Sequence, residues 1–159
     1  MIIIKIILLL VFTFIFYQDH KDREVYWFLF PCVGIFAGYL FLSETLTELF
    51  YTSIITNLVV TSILIIIVML YSKLKLKTEM INTIGLGDLL MFFFLSFTFS
   101  TVSFMVILVS SLLFSLLLHL SLKKQSKHNT VPLAGYMGLF FSLSYLAFWS
   151  GIIDSLYSI

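Results

Sequence analysis

Gly85-Leu86-Gly87-Asp88, running straight into Leu89-Leu90-Met91-Phe92-Phe93-Phe94, is the stretch that decides the fold: two glycines and a carboxylate stand at the mouth of an apolar run. A charged side chain in hydrocarbon costs at least ~2.5–3.5 kcal/mol on the insertion scale, so an ionisable group there is by default a functional-site candidate. The glycines, lacking Cβ, permit positive φ and the close approach of another chain. The competing explanation is that Asp88 N-caps its own helix, where backbone N–H groups and the helix dipole favour a carboxylate. Spacing leaves both readings open.

Outward from that point the chain of 159 residues is 61% hydrophobic and only 11% charged, far more apolar than an average soluble domain. It is expected to be all-α, a polytopic membrane protein whose mass lies in the lipid bilayer. At about 20 residues per span there is room for roughly six short spans and no sizeable soluble domain, so residues 1–159 are expected to form a single transmembrane domain. A balance of 9 Lys+Arg against 8 Asp+Glu supplies no basic face for nucleic acid. A single cysteine, Cys32, excludes an intramolecular disulfide and a Cys-cluster metal site.

Taken in order, Met1 to Tyr17 is apolar apart from Lys5 and Thr13 and reads as span one. Lys5 followed by Ile6 to Phe16 also imitates a secretory signal, but Tyr17-Gln18-Asp19-His20 offers no small-x-small cleavage site. Asp19 to Glu24 is a six-residue polar island expected to form a tight turn before span two, Val25 to Leu42. Tyr26 and Trp27 suit a membrane interface, and Pro31 is expected to kink the helix one turn in. Gly34 and Gly38 form a small-xxx-small pair of the kind that lets helices approach. An acidic island with Ser43, Glu44, Thr45 and Glu48 precedes span three, Ile54 to Tyr71.

Lys73, Lys75, Lys77 and Glu79 lead to the glycine-rich turn, and Lys123, Lys124 and Lys127 follow the next apolar region. That region holds two short spans, Leu89 to Phe99 and Val102 to Leu120, broken near Ser100-Thr101, or one long helix. Short basic loops stay in the cytoplasm, so an even number of crossings separates the two lysine clusters, which favours two spans. With Lys21 and Arg23 also inside, Lys5 is the one basic residue outside, alongside Glu44, Glu48 and Asp154. Six spans with both termini external follow. His119 and His128 flank the third loop without a partner at ligand spacing, so no metal site is expected. Val131-Pro132-Leu133-Ala134-Gly135-Tyr136 opens the last span, which runs to about Ile153; proline suits a helix start, and the small residues beside it suggest close packing.

This topology puts Asp19 and Asp88 at cytoplasmic helix ends at similar depth, where their carboxyls are expected to face one another. Two carboxylates brought close share a proton, and the pair can activate water as base while hydrogen-bonding a carbonyl as acid, the chemistry of aspartic peptidases. Asp22 competes with Asp19, but flanked by Lys21 and Arg23 it reads as a solvated loop charge.

These residues carry a resemblance. Asp19-His20-Lys21-Asp22-Arg23-Glu24-Val25 resembles the Asp-x-(basic)-x-Arg-x-(aliphatic) turn of the type IV prepilin peptidases, Gly85-Leu86-Gly87-Asp88 resembles their Gly-x-Gly-Asp signature, and Val131-Pro132-Leu133-Ala134 resembles the proline-led opening of their last core helix. The pieces occur in the family's order, and the resemblance covers essentially the whole chain. It implies an intramembrane aspartic endopeptidase without metal or other cofactor, with Asp19 and Asp88 as the catalytic pair and Gly85 and Gly87 lining the substrate. It would cut the leader from prepilin-like membrane proteins at the cytoplasmic face of a bacterial or archaeal cytoplasmic membrane, in company with pilus or secretion machinery. Tyr26-Trp27 stands where the family often has Pro-Asn, and Leu89-Leu90 where Val-Lys commonly follows the aspartate. With no room for a Cys-containing insert or an amino-methylating region, the chain resembles the short, peptidase-only branch. The alternatives are an inactive relative that holds a pilus or secretion assembly together, or a small transporter using Asp88. Transport calls for more polar residues lining a path at mid-membrane depth, and spans three and five offer only Asn57 and scattered Ser and Thr.

Overall fold

The computed structural model describes residues 1–76, 85–122 and 131–157. Lys77, Glu79, Lys123, Lys124, Lys127 and His128, which carry part of the expected charge pattern, lie outside the described residues. Within them the regular structure is all helical: α1 (Ile2–Lys21), α2 (Leu29–Glu44), α3 (Thr47–Tyr71) continued by a π-helical turn (Ser72–Leu76), α4 (Leu86–Leu95), α5 (Thr101–Leu122) and α6 (Leu133–Trp149).

Three helical stretches are long and apolar enough to cross a membrane: Ile2–Lys21, Thr47–Leu74 and Thr101–Leu122. The other three fall short. At 1.5 Å per residue α4 is only about 15 Å long, half the thickness of a hydrocarbon core.

The boundaries differ from expectation in instructive ways. Asp19 does not open a turn, because α1 runs on through Lys21. Helix α2 starts at Leu29, which puts Pro31 in its first turn. The proline therefore begins a helix where a kink was expected, since the N–H it lacks has no partner to lose there. Helix α3 starts at Thr47, not Ile54, with Glu48 in its first turn, where the dipole favours an acid. Helix α6 stops at Trp149, short of Ile153. Gly151 takes φ 77°, its N–H bonds the Phe148 carbonyl at 3.1 Å and the Ile152 N–H bonds the Ala147 carbonyl at 2.9 Å. That pair of bonds closes a helix through a left-handed glycine, and the chain folds back to bury Leu156 and Tyr157.

The apolar run after Asp88 forms two helices, with residues 96–100 as the break. A helix that stops inside a bundle leaves carbonyl groups which lipid cannot satisfy. Asn57 of α3, fully buried, meets them: its Nδ2 donates to the carbonyls of Ser96 (3.1 Å) and Phe99 (2.9 Å). Thr61, one turn on, pairs its hydroxyl with that of Ser96 at 2.9 Å. The only amide side chain noted in span three is thus the clasp of a helix break.

Helix ends meet in two groups. At one, the end of α1 and the starts of α4 and α6 are joined by hydrogen bonds, and Gly87 of α4 lies against Phe30 of α2. At the other, Phe99 stacks on Phe141 (5.8 Å between centroids) and packs on Tyr145 (4.8 Å), Phe41 stacks on Tyr157, and the Lys5 ammonium sits over the Trp149 ring at 5.0 Å. The glycine pair of α2 is used as its spacing suggests: Gly34 faces Phe94 and Gly38 faces Phe97.

Replacing Asn57 by Leu strands two buried carbonyls, each worth about 1–3 kcal/mol when unsatisfied. Asn57→Leu is expected to lower the melting temperature of the detergent-solubilised protein by several degrees, and Asn57→Gln by less. Thermal unfolding followed by reaction of Cys32 with a thiol-reactive dye checks this, and an Asn57→Leu protein as stable as the parent would remove the clasp.

Candidate carboxylate-pair site

Asp19 lies in the last turn of α1, two residues from its end, and is 8% exposed. Beyond it the Asp22 N–H bonds back to the Gln18 carbonyl at 2.8 Å, ending the helix. The Gln18 side chain then accepts the Tyr26 N–H at 3.2 Å, folding the connection to α2 against the end of α1. Within that connection Arg23 takes φ 59°, the left-handed region that non-glycine residues seldom adopt. Asp22 is exposed. His20 is exposed too, its ring stacked on Phe16 at 5.8 Å.

Asp88 reaches the same place from α4. Gly85, with φ −60° and ψ 151°, is the N-cap of that helix, and its carbonyl accepts the N–H groups of Asp88 and Leu89. Asp88 is therefore not the N-cap that one sequence reading allowed; it is the third helical residue. The positive φ anticipated for the glycines is absent as well, because Gly85 is extended and Gly87 is already helical. Gly85 flanks the Asp88 carboxylate, whereas Gly87 faces Phe30.

The two carboxylates converge on α6. Its N-cap is Pro132, which has no side-chain acceptor to offer, so the first-turn N–H groups look elsewhere. The Ala134 N–H donates to Asp88 Oδ1 at 2.8 Å, and the Gly135 N–H donates to Asp19 Oδ2 at 2.6 Å. Neighbouring amide nitrogens of a chain stand only about 3 Å apart, so Asp19 and Asp88 are anchored on consecutive residues of α6. The helix dipole favours both anions there. Such a meeting requires Gly135: a Cβ on it would lie 3.0 Å from Asp19 Cβ, 3.1 Å from Asp19 Oδ2 and 3.3 Å from Phe16 Cα.

The charges at this point act on one another. Asp19 and Asp88 interact directly, and the Arg23 guanidinium interacts with both. The Tyr136 hydroxyl, next along α6, feels Arg23 and Asp19. Among the described residues no three His, Cys, Asp or Glu side chains gather in a way that could hold a metal ion, and His119 lies in the last turn of α5.

Of the residues singled out in the sequence, Asp19 and Asp88 are brought together, Gly85 stands beside them, and Asp22 and Gly87 face elsewhere. The sequence reading missed the amides of Ala134 and Gly135 as the anchor, and missed Arg23 and Tyr136 as neighbours. A proline-led helix start followed by two small residues was the available signal for the first two.

Gly135→Val places a branched side chain against Asp19 and the α1 backbone, so an overpacking cost of about 1–3 kcal/mol is expected. Thermal unfolding in detergent checks it, with Gly151→Ala as a comparison of a strained glycine far from the pair. Unchanged stability of Gly135→Val would mean that α1 and α6 are not so closely apposed.

No family model, curated protein or solved structure matches this chain.

Proposed function

We propose that the chain is a polytopic membrane protein of about six membrane helices, and that Asp19 and Asp88 form the catalytic dyad of an intramembrane aspartic endopeptidase of the prepilin peptidase type. It would cleave the short basic leader of a prepilin-like membrane protein at the cytoplasmic face of a bacterial or archaeal cytoplasmic membrane. One observation carries this reading: two carboxylates from distant parts of the chain are held on adjacent amides of α6. The bond to α6 engages one oxygen of each and fixes both groups, and the Gly85 backbone N–H also bonds the Asp88 carboxyl.

In that reaction the ionised carboxyl takes a proton from a water as the water oxygen attacks the scissile carbonyl carbon, and the protonated carboxyl hydrogen-bonds the carbonyl oxygen. The tetrahedral intermediate collapses with cleavage of the C–N bond, and the departing amine takes up the proton. Gly85, exposed beside Asp88, leaves room for an extended substrate segment. Substrate, pilus or secretion partners and cell compartment rest on the sequence resemblance.

The same two bonds also favour a second reading, an inactive relative in which Asp19 and Asp88 merely cap α6. Substitution separates the two. An Asn side chain keeps a carbonyl oxygen that can accept the same N–H bond, but it cannot exchange a proton. Asp19→Asn and Asp88→Asn are therefore each expected to lower leader cleavage by at least about 100-fold while the protein stays folded, with Asp22→Asn near parental. Co-expression with a prepilin carrying a basic leader, gel shift and N-terminal sequencing of the product read this out. Activity is expected to fall at both pH extremes, with apparent pKa values belonging to the pair. Full cleavage by Asp88→Asn would leave only the capping role.

The membrane arrangement has its own test, placed at exposed positions. In a Cys32→Ala background, Ser43→Cys is expected to react with an impermeant thiol reagent in intact cells, and Leu74→Cys and Ser121→Cys only after permeabilisation. Labelling of Leu74→Cys and Ser121→Cys from opposite sides would exclude an even number of crossings between them.

A further inference from the structure

A groove of about 290 Å³ lies apart from the carboxylate pair, along the seam between α2 and α4. On α2 it is lined by Gly34, Ile35, Gly38, Tyr39 and Leu42, and the lining is completed by Phe50 of α3, Phe94 of α4 and Phe97 of the helix break. The α2 positions form one stripe at i, i+1, i+4, i+5 and i+8, so the groove follows the helix axis for about 12 Å. Spread over that length, its volume gives a cross-section of about 24 Å², roughly 5 Å across, too narrow for a helix of about 10–12 Å diameter. A single hydrocarbon chain has that width. The Tyr39 hydroxyl is the one polar side-chain group lining it among the described residues, which offers a polar ligand nothing to replace its hydration.

The glycine pair is not free to seat another membrane helix. A Cβ on Gly34 would lie 2.7 Å from Phe94 and one on Gly38 3.7 Å from Phe97, so the close approach that small residues allow is already taken up within the chain. The two ends of the groove differ. At Leu42 and Phe50 it reaches the α2–α3 connection, where Ser43, Glu44 and Glu48 are exposed and residues 43–53 hold no Lys or Arg. Gly34 lies ten residues back along α2 from Glu44, about 15 Å, which is one leaflet of a ~30 Å hydrocarbon core.

We infer that this groove is a lipid site: it takes one acyl chain of a phospholipid whose headgroup carries a primary ammonium, with the headgroup at the Glu44/Glu48 edge. The inference uses the membrane reading of the chain and none of the peptidase reading. Basic clusters at a membrane surface select anionic lipids, and this edge has the opposite sign. Two carboxylates there attract an ammonium and repel a headgroup with net negative charge. Phe94 and Phe97 pack on one another at 6.4 Å and on Phe93 at 5.1 and 5.8 Å, a wall of rings held in shape by its own contacts. A chain against that wall is an ordered ligand and not part of the fluid coat.

The test uses the full-length protein in mild detergent, stripped of lipid and titrated with phosphatidylethanolamine or phosphatidylglycerol of the same acyl chains, with bound lipid counted by native mass spectrometry. One phosphatidylethanolamine per chain is expected to bind, with phosphatidylglycerol weaker by at least about threefold. Glu44→Gln combined with Glu48→Gln is expected to remove that preference. Ile35→Trp and Leu42→Trp, which fill the groove from its exposed rim, are expected to weaken binding by at least about fivefold. Val59→Trp, at an exposed position of α3 outside the groove, is expected to leave it within about twofold. Equal loss in all three tryptophan variants, or loss in none, would make the lipid part of the general coat and overturns the inference, as does tighter binding of phosphatidylglycerol by the parent. A second measurement needs no filled groove: phosphatidylethanolamine is expected to raise the parent's melting temperature saturably, and phosphatidylglycerol by less. No shift overturns the inference. In membranes, Ile35→Cys in a Cys32→Ala background is expected to stay monomeric under oxidation, and a disulfide-linked dimer would give the groove to a second copy of the chain instead of a lipid.

Discussion

The first turn of α6 presents backbone N–H groups that its own N-cap, Pro132, has no side chain to meet. In water such donors would be solvated; in an apolar bundle each must find an acceptor. Asp19 and Asp88 are the acceptors, and much of the architecture follows from that. The end of α1 and the start of α4 are pinned to one point of a third helix. Gly135 must be bare for α1 to come within reach, and α1 and α6 pack along their length, with Gly138 against Phe12 and Met91. Two short hydrogen bonds, at 2.8 and 2.6 Å, thus tie three helices together.

The opposite end of the bundle solves the complementary problem with neutral groups. Helix α4 stops where orphan carbonyls would face apolar side chains, and Asn57 and Thr61 reach them from α3. Donors are answered by acids where α6 begins, and acceptors by an amide where α4 ends. Because α4 is short, both ends of it lie within the protein's own hydrogen-bonding reach.

The helical fold was legible in composition and in the spacing of apolar runs, and a break in the run after Asp88 followed from charge counting without any glycine or proline to mark it, although it falls at residues 96–100 and not at Ser100-Thr101, because α4 ends at Leu95 and not Phe99. Boundaries were less legible because polar residues were read as the ends of helices. Asp19, His20 and Lys21 continue α1, and Glu48 sits inside α3, since a helix surface at its terminus tolerates charge. The identity of the acids in the candidate site was visible from their sequence company, but the reason they meet was not. The partners of Asp88 and Asp19 lie 46 and 116 residues away, and a backbone amide leaves no mark in the sequence when it is the partner. Arg23 was hidden for a related reason: its left-handed turn depends on Gln18 reaching Tyr26, a tertiary choice that local propensity does not encode.

The depth of the pair bears on what it could act upon. Asp88 is the third residue of α4 and Asp19 is followed by only two more residues of α1, so each carboxylate lies within about one helical turn, ~5 Å, of its helix end. For helices set in a bilayer that depth is the boundary between hydrocarbon and headgroups, where water is still available and a charge is far less costly than at the centre. Asp19 is buried and Asp88 half-buried, while Gly85, His20 and Asp22 are exposed, so the pair lies close to the protein surface. A peptide bond in the middle of a membrane helix could not reach this site without unwinding several turns and exposing backbone groups to hydrocarbon. A bond just ahead of a membrane helix already lies at that depth in an extended segment. Were the proposed peptidase reading to hold, this depth would restrict it to a bond at the head of a substrate's transmembrane helix, a restriction set by where α1 ends and α4 begins, whichever sequence flanks the bond.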